Sequence, residues 1–117
     1  MPVRSLNSSV LKWPDKKTVD SEVRRWAMGV AKGSSNILRI GYFGSYARGD
    51  WGVGSDLDLL IIIDSDKSEI NQDHPDTTEL PLPADVLIYT QKQWERLPHD
   101  GRFYRTIMKE IVWVYER

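Results

Sequence analysis

Apolar residues recur along this chain with two different periods, and the change from one period to the other marks out its elements. From Thr18 onward, Val19, Val23, Trp26 and Val30 return every three or four positions, with Glu22, Arg24, Arg25 and Lys32 between them. That is the spacing of one helix face. A helix is expected over 18–32, capped by Thr18 and stopped at Gly33. "NILRIGYF" (36–43) then reads as a strand with apolar bulk on both faces. "LDLLIIID" (57–64) is an Ile/Leu run suited to a strand buried on both sides. "ADVLIYT" (84–90) is a third strand and "QKQWERL" (91–97) a short helix. Phe103, Tyr104, Ile107 and Met108 give an apolar face to a last helix over 101–110, and "IVWVY" (111–115) can close as a short strand.

The remaining stretches lack either period. Residues 1–17 hold Pro2, Pro14 and three lysines and read as an irregular arm, with Trp13 as an anchor to the core. Residues 65–83 are polar, acidic and broken by Pro75, Pro81 and Pro83, which makes them a long loop. The expected organisation is therefore the arm at 1–17 and one small domain over 18–117. Its order of elements suggests an α/β or α+β fold built on a sheet.

Composition adds bounds rather than detail. With 40% hydrophobic and 28% charged residues, the chain has a soluble globular profile. Its longest apolar run is too short to span a membrane, no signal-peptide pattern opens it, and cysteine is absent. A cytoplasmic location is the expectation. The net charge of −1 argues against non-specific nucleic-acid binding. Charge is unevenly spread, however. Residues 1–50 carry nine Lys or Arg against four Asp or Glu, residues 51–100 three against eleven, and residues 101–117 four against two. The acidic middle calls for cations nearby, either metal ions or flanking basic side chains.

Candidate chemistry concentrates in "GSYARGDWGVGSDLDLL" (44–60). A phosphate loop of the G-x-x-x-x-G-K-[ST] type fails, because Asp50 stands where the lysine is needed. A G-x-G-x-x-G dinucleotide turn begun at Gly52 fails at Leu57. What fits is a strand ending near Phe43, a tight turn at Gly44, and one helical turn over "SYARG" whose N–H groups and Ser45 hydroxyl favour an anion such as phosphate. Asp56 and Asp58 are two apart, so a strand places both on one face and turns Leu57 and Leu59 to the other. Such a pair repels unless a cation sits between its members, and hard oxygen ligands sharing phosphates are the Mg²⁺ pattern. Asp85 completes a three-carboxylate cluster if its strand neighbours 57–64. The set suits two-metal phosphoryl transfer.

Gly44-Ser45, ten residues, then Asp56-x-Asp58 resembles the GS-x10-DxD signature of the polymerase-β-like nucleotidyltransferase superfamily. With the Asp85 strand and the closing "EIVWVY", the chain looks most like the minimal nucleotidyltransferases (MNT) over about residues 20–115. The resemblance implies a mixed sheet flanked by helices. It implies that Gly44 and Ser45 bind nucleotide phosphates, that Asp56 and Asp58 bind both of two Mg²⁺ ions, and that Asp85 binds the ion activating the acceptor. Arg48 is a candidate for the triphosphate, against simple pairing with an acidic neighbour.

The reaction implied is transfer of a nucleoside monophosphate, AMP from ATP in the first instance, to a hydroxyl. Larger members of the superfamily carry a helical domain that helps hold the acceptor. No part of the 117 residues corresponds to it. The expected partner is then a HEPN-type helical protein, neutralised as toxin by its MNT antitoxin. A small-molecule acceptor is less favoured, and self-association stays open. A non-catalytic module that grips a helical partner is the alternative. The other features have plainer readings: Trp26 and Trp113 in the core, Trp51 in a loop, Gly52 and Gly54 as loop formers, Asp64 and Asp66 at a strand end, and His74 and His99 on the surface.

Overall fold

The computed structural model describes residues 14–64 and 75–117. Its elements are α1 (Lys16–Lys32), β1 (Ile37–Phe43), α2 (Ser45–Arg48), β2 (Leu57–Ile63), β3 (Ala84–Thr90), α3 (Gln91–Arg96), α4 (Arg102–Glu110) and β4 (Val112–Glu116). The four strands form one sheet in the order β3-β2-β1-β4. β1 runs antiparallel to both β2 and β4, whereas β2 and β3 run parallel. The fold is a small α+β domain, within what the order of elements suggests, on a mixed sheet flanked by helices, as the resemblance implies.

Helix α1 begins earlier than its apolar period suggests. The Asp15 side chain accepts from the Thr18 N–H at 2.9 Å, so Asp15 is the cap and Thr18 lies inside the first turn. Lys16 and Lys17 carry no apolar marker, which hides that turn from a periodicity argument. The expected arm falls mostly on residues 1–13, outside the described residues. The loop expected at 65–83 is described only from Pro75, and Asp66 and His74 lie outside it.

β2 is the centre of the core. Its six Leu and Ile side chains are buried, and Asp58 is the exception. Leu57, Leu59, Ile61 and Ile63 pack with Val19, Val23, Trp26 and Ala27 of α1. Leu60 and Ile62 point to the other face, against Trp94 of α3 and Ile107 of α4. Each such burial stabilises by roughly 1.5–3 kcal/mol. Alternation along β2 therefore turns Asp58 to the face covered by α3 and α4. The α1 face is tied by polar bonds as well: the Tyr42 hydroxyl donates to Asp20 at 2.7 Å, and the Trp26 indole N–H to the Asp76 carbonyl at 2.8 Å.

At Gly41, β1 passes under the end of α4. A Cβ there would stand 2.9 Å from both Ile111 Cδ1 and Trp113 Cε3, so the close approach of the two segments depends on glycine. Trp113 is half-buried rather than fully in the core, with the Arg39 guanidinium 3.8 Å above its ring. Among the described residues no helix is long and apolar enough to cross a membrane.

Candidate functional site

The chain leaves β1 at Phe43 and turns at once. Gly44 takes φ 85° and ψ −155°, a conformation that costs an L side chain dearly, and the next four residues close the short helix α2. Space dictates glycine as well. A Cβ at this position would collide with Asp58 Oδ2, with Cγ 3.2 Å away. The glycine therefore lets the turn lie directly against the Asp58 carboxylate. Its own N–H donates to Glu110 Oε2 at 2.7 Å.

Gly44, Ser45, Arg48, Asp56 and Asp58 line one groove of about 440 Å³, together with Phe43, Phe103, Thr106, Ile107 and Glu110. The structure thus brings together five of the six residues singled out in the sequence. The sixth, Asp85, is not among the groove's lining residues. It lies opposite Asp58 in the parallel ladder of β2 and β3, so the strand adjacency left conditional above is present. Trp51, read above as a loop residue, stacks on the buried Tyr46 of α2 with ring centroids 5.3 Å apart and planes 4° from parallel. This pins the loop between α2 and β2 to the core.

The electrostatics follow from the crowding. Burial pushes the Asp58 carboxyl above its ordinary range, and the charges of Asp85, Asp56 and Glu110 push it further, with Arg48 opposing. Arg48 pairs through Nε with Asp50 Oδ2 at 3.0 Å and through Nη1 with Glu110 Oε1 at 3.3 Å. The acidic-neighbour reading of Arg48 is thus present in the structure. Glu110 is the site residue that sequence reasoning missed. Its only sequence signal is an acid placed just before the closing apolar run.

The donor set suits a hard divalent cation. It offers carboxylate oxygens and no thiolate, and a crowded carboxylate such as Asp58 gains from positive charge. Among the described residues no three acidic or imidazole side chains gather closely enough to enclose an ion by themselves. Mg²⁺ does not need such a cage, since it is commonly held by one or two carboxylates completed by water and substrate phosphates.

A family model for the nucleotidyltransferase domain matches residues 29–114, from the second half of α1 to β4. The chain belongs to the nucleotidyltransferase domain family. Solved structures agree on the fold of this nucleotidyltransferase. A candidate nucleotidyltransferase from Sulfolobus solfataricus superposes with a TM-score of 0.62 at 19% identity, covering 87% of this chain and 84% of the other. A toxin–antitoxin structure solved with AMP-PNP has a chain that superposes with a TM-score of 0.52 at 12% identity, covering 80% and 73%. No functionally curated protein matches significantly.

Proposed function

We propose that this nucleotidyltransferase is a minimal one that moves AMP from ATP, with Mg²⁺, onto a hydroxyl of a HEPN-type helical partner, as the antitoxin of a toxin–antitoxin pair. One observation carries the transferase part: the Gly44 turn is packed against Asp58, with Ser45, Arg48 and Asp56 lining the same groove. The toxin–antitoxin neighbour with AMP-PNP supports a protein partner and an adenine nucleotide, through likeness of fold alone; the HEPN type rests on the resemblance.

In this reading Asp56 and Asp58 hold both metal ions and Asp85 the one nearer the acceptor. When bound, Mg²⁺ supplies Lewis acidity to the phosphates and acidifies the acceptor hydroxyl. The protein's own part is placement. The Ser45 hydroxyl and the α2 turn receive phosphate oxygens, and Arg48 offers positive charge beside them. The groove aligns the acceptor oxygen with the α-phosphorus. The acceptor hydroxyl gives its proton to solvent as its oxygen bonds to that phosphorus, the bond to the bridging oxygen breaks, and pyrophosphate leaves with both electrons of that bond.

The test uses radiolabelled ATP, Mg²⁺ and a candidate HEPN protein, with the Asp56→Asn, Asp58→Asn double variant as control. Label on the partner with wild type and at least a hundredfold less with the variant is the expected result. Neutralisation by both proteins without label would replace the enzyme with a non-catalytic binding module.

A further inference from the structure

We infer that Glu110 is a positioning residue that braces the Gly44 turn and Arg48, so that of the Gly-Ser pair Ser45 alone is left to meet phosphate. The inference rests on the proposed nucleotide site, but its geometry stands on the described side chains.

The brace follows from strand register. β1 and β4 are antiparallel, with Tyr42 opposite Val112. Two residues beyond each member of that pair stand Gly44 and Glu110, one leaving the sheet and the other entering it. The Ile111 N–H closes α4 on the Ile107 carbonyl at 2.8 Å, which fixes the backbone beside Glu110. Its side chain, only 11% exposed, reaches the buried Gly44 N–H at 2.7 Å. Gly44 is thus tied by Glu110 at its nitrogen, with the Asp58 carboxylate filling the space a side chain would need.

The bond also assigns donors. A backbone N–H already given to a carboxylate at 2.7 Å is not free for a phosphate oxygen. The same carboxylate accepts from Arg48 Nη1 at 3.3 and 3.4 Å, while Arg48 Nε is taken by Asp50. Among the described residues Nη2 takes part in neither pair, so the guanidinium is oriented with a donor group outside both. A carboxylate placed among other acids looks costly. Arg48 offsets that charge and makes Glu110 the piece that joins the turn to its cation.

The test compares Glu110→Ala, Glu110→Gln and Glu110→Asp with wild type in two readouts: Mg²⁺–ATP affinity by calorimetry and hydrogen exchange of the Gly44 amide by NMR. Glutamine keeps an acceptor of the right length, whereas aspartate keeps the charge and is one methylene too short. The expected result is a loss of about tenfold or more in affinity for the alanine and aspartate variants, with faster Gly44 exchange, and glutamine within about threefold of wild type. Alanine within threefold of wild type overturns the brace. So does aspartate behaving like wild type while glutamine fails, which would make charge the operative property. Should the alanine variant not fold, the aspartate and glutamine pair decides alone. Absence of ATP binding by wild type would sink the nucleotide reading instead, and Gly44 exchange would still judge the brace.

Discussion

Replacing Gly44 by alanine probes the site at its tightest point. Two costs add. The backbone conformation, φ 85° and ψ −155°, is nearly reserved for glycine, and holding another residue there costs about 1–3 kcal/mol. The new Cβ also collides with Asp58 Oδ2, and pushing that side chain off its rotamer costs about 0.5–1.5 kcal/mol. Together these give roughly 2–4 kcal/mol, a fall in Tm of about 10–25 °C in a domain of this size. Thermal and urea unfolding followed by circular dichroism measure it. Two controls separate the costs. Gly52→Ala meets nothing within 4 Å and has no positive φ, so it should be near neutral; Gly49→Ala has φ 90° and open space, so it gives the left-handed strain without a clash, a lower bound for Gly44 with its ψ of −155°. Asp58→Ala supplies the decisive cycle. With the carboxylate removed, the nearest atom of that side chain is its Cβ at 3.5 Å, an ordinary contact. Gly44→Ala should then cost about 1 kcal/mol less than in wild type. A cost equal to that of Gly49→Ala, or one unchanged by Asp58→Ala, would refute the reasoning.

Three further outcomes are expected. Gly41→Ala forces its Cβ against Ile111 and Trp113 at 2.9 Å and should destabilise by about 1–3 kcal/mol in urea unfolding, without changing Mg²⁺ affinity. Partial burial pushes the Asp20 carboxyl up, but bonds from Arg24 and Tyr42 outweigh it and hold the group below its usual range. Its ionised form is therefore favoured by the fold, so its contribution is present above the ordinary carboxylate range and lost as pH falls through the lowered value. Asp20→Asn should cost about 1 kcal/mol at neutral pH and flatten the acid limb of Tm against pH. Asp58 has the opposite sign. Its raised carboxyl contributes most when protonated and loses that contribution as pH rises through the folded value, so Asp58→Asn should raise the Tm of metal-free protein at neutral pH; if Mg²⁺ binds as proposed, it should raise the Tm of wild type and not of the variant.

Much of this fold is legible locally because polar and glycine punctuation separates its apolar runs. β3 runs Ala84–Thr90 as the alternation around Val86 and Ile88 suggests, and α2 forms where Gly44 and Gly49 bracket four residues. Parity expected Asp56 and Asp58 on one strand face; β2 begins only at Leu57, so Asp56 precedes the strand, yet both carboxylates line one groove. What stayed hidden depends on which strands pair. Periodicity within "ADVLIYT" cannot say that Asp85 lies beside Asp58, because that follows from the β2–β3 register. Glu110 is hidden for the same reason, since it reaches Gly44 only because β4 returns beside β1, 66 residues later in the chain. Trp51 looked like a loop residue because its stacking partner is set by how α2 folds back, not by a period.

The parallel pairing of β2 with β3 also divides the acidic set by length of connection. The β1–β2 hairpin brings the Gly44 turn to Asp58 through a short connection that holds α2 and the stacked Trp51. Asp85 stands beside Asp58 only through the parallel register of β2 and β3, and parallel pairing of this kind is intrinsically slow to form. The Gly44 turn and the Asp pair therefore rest on short connections in the chain, whereas Asp85 and Glu110 join them only through long-range pairing.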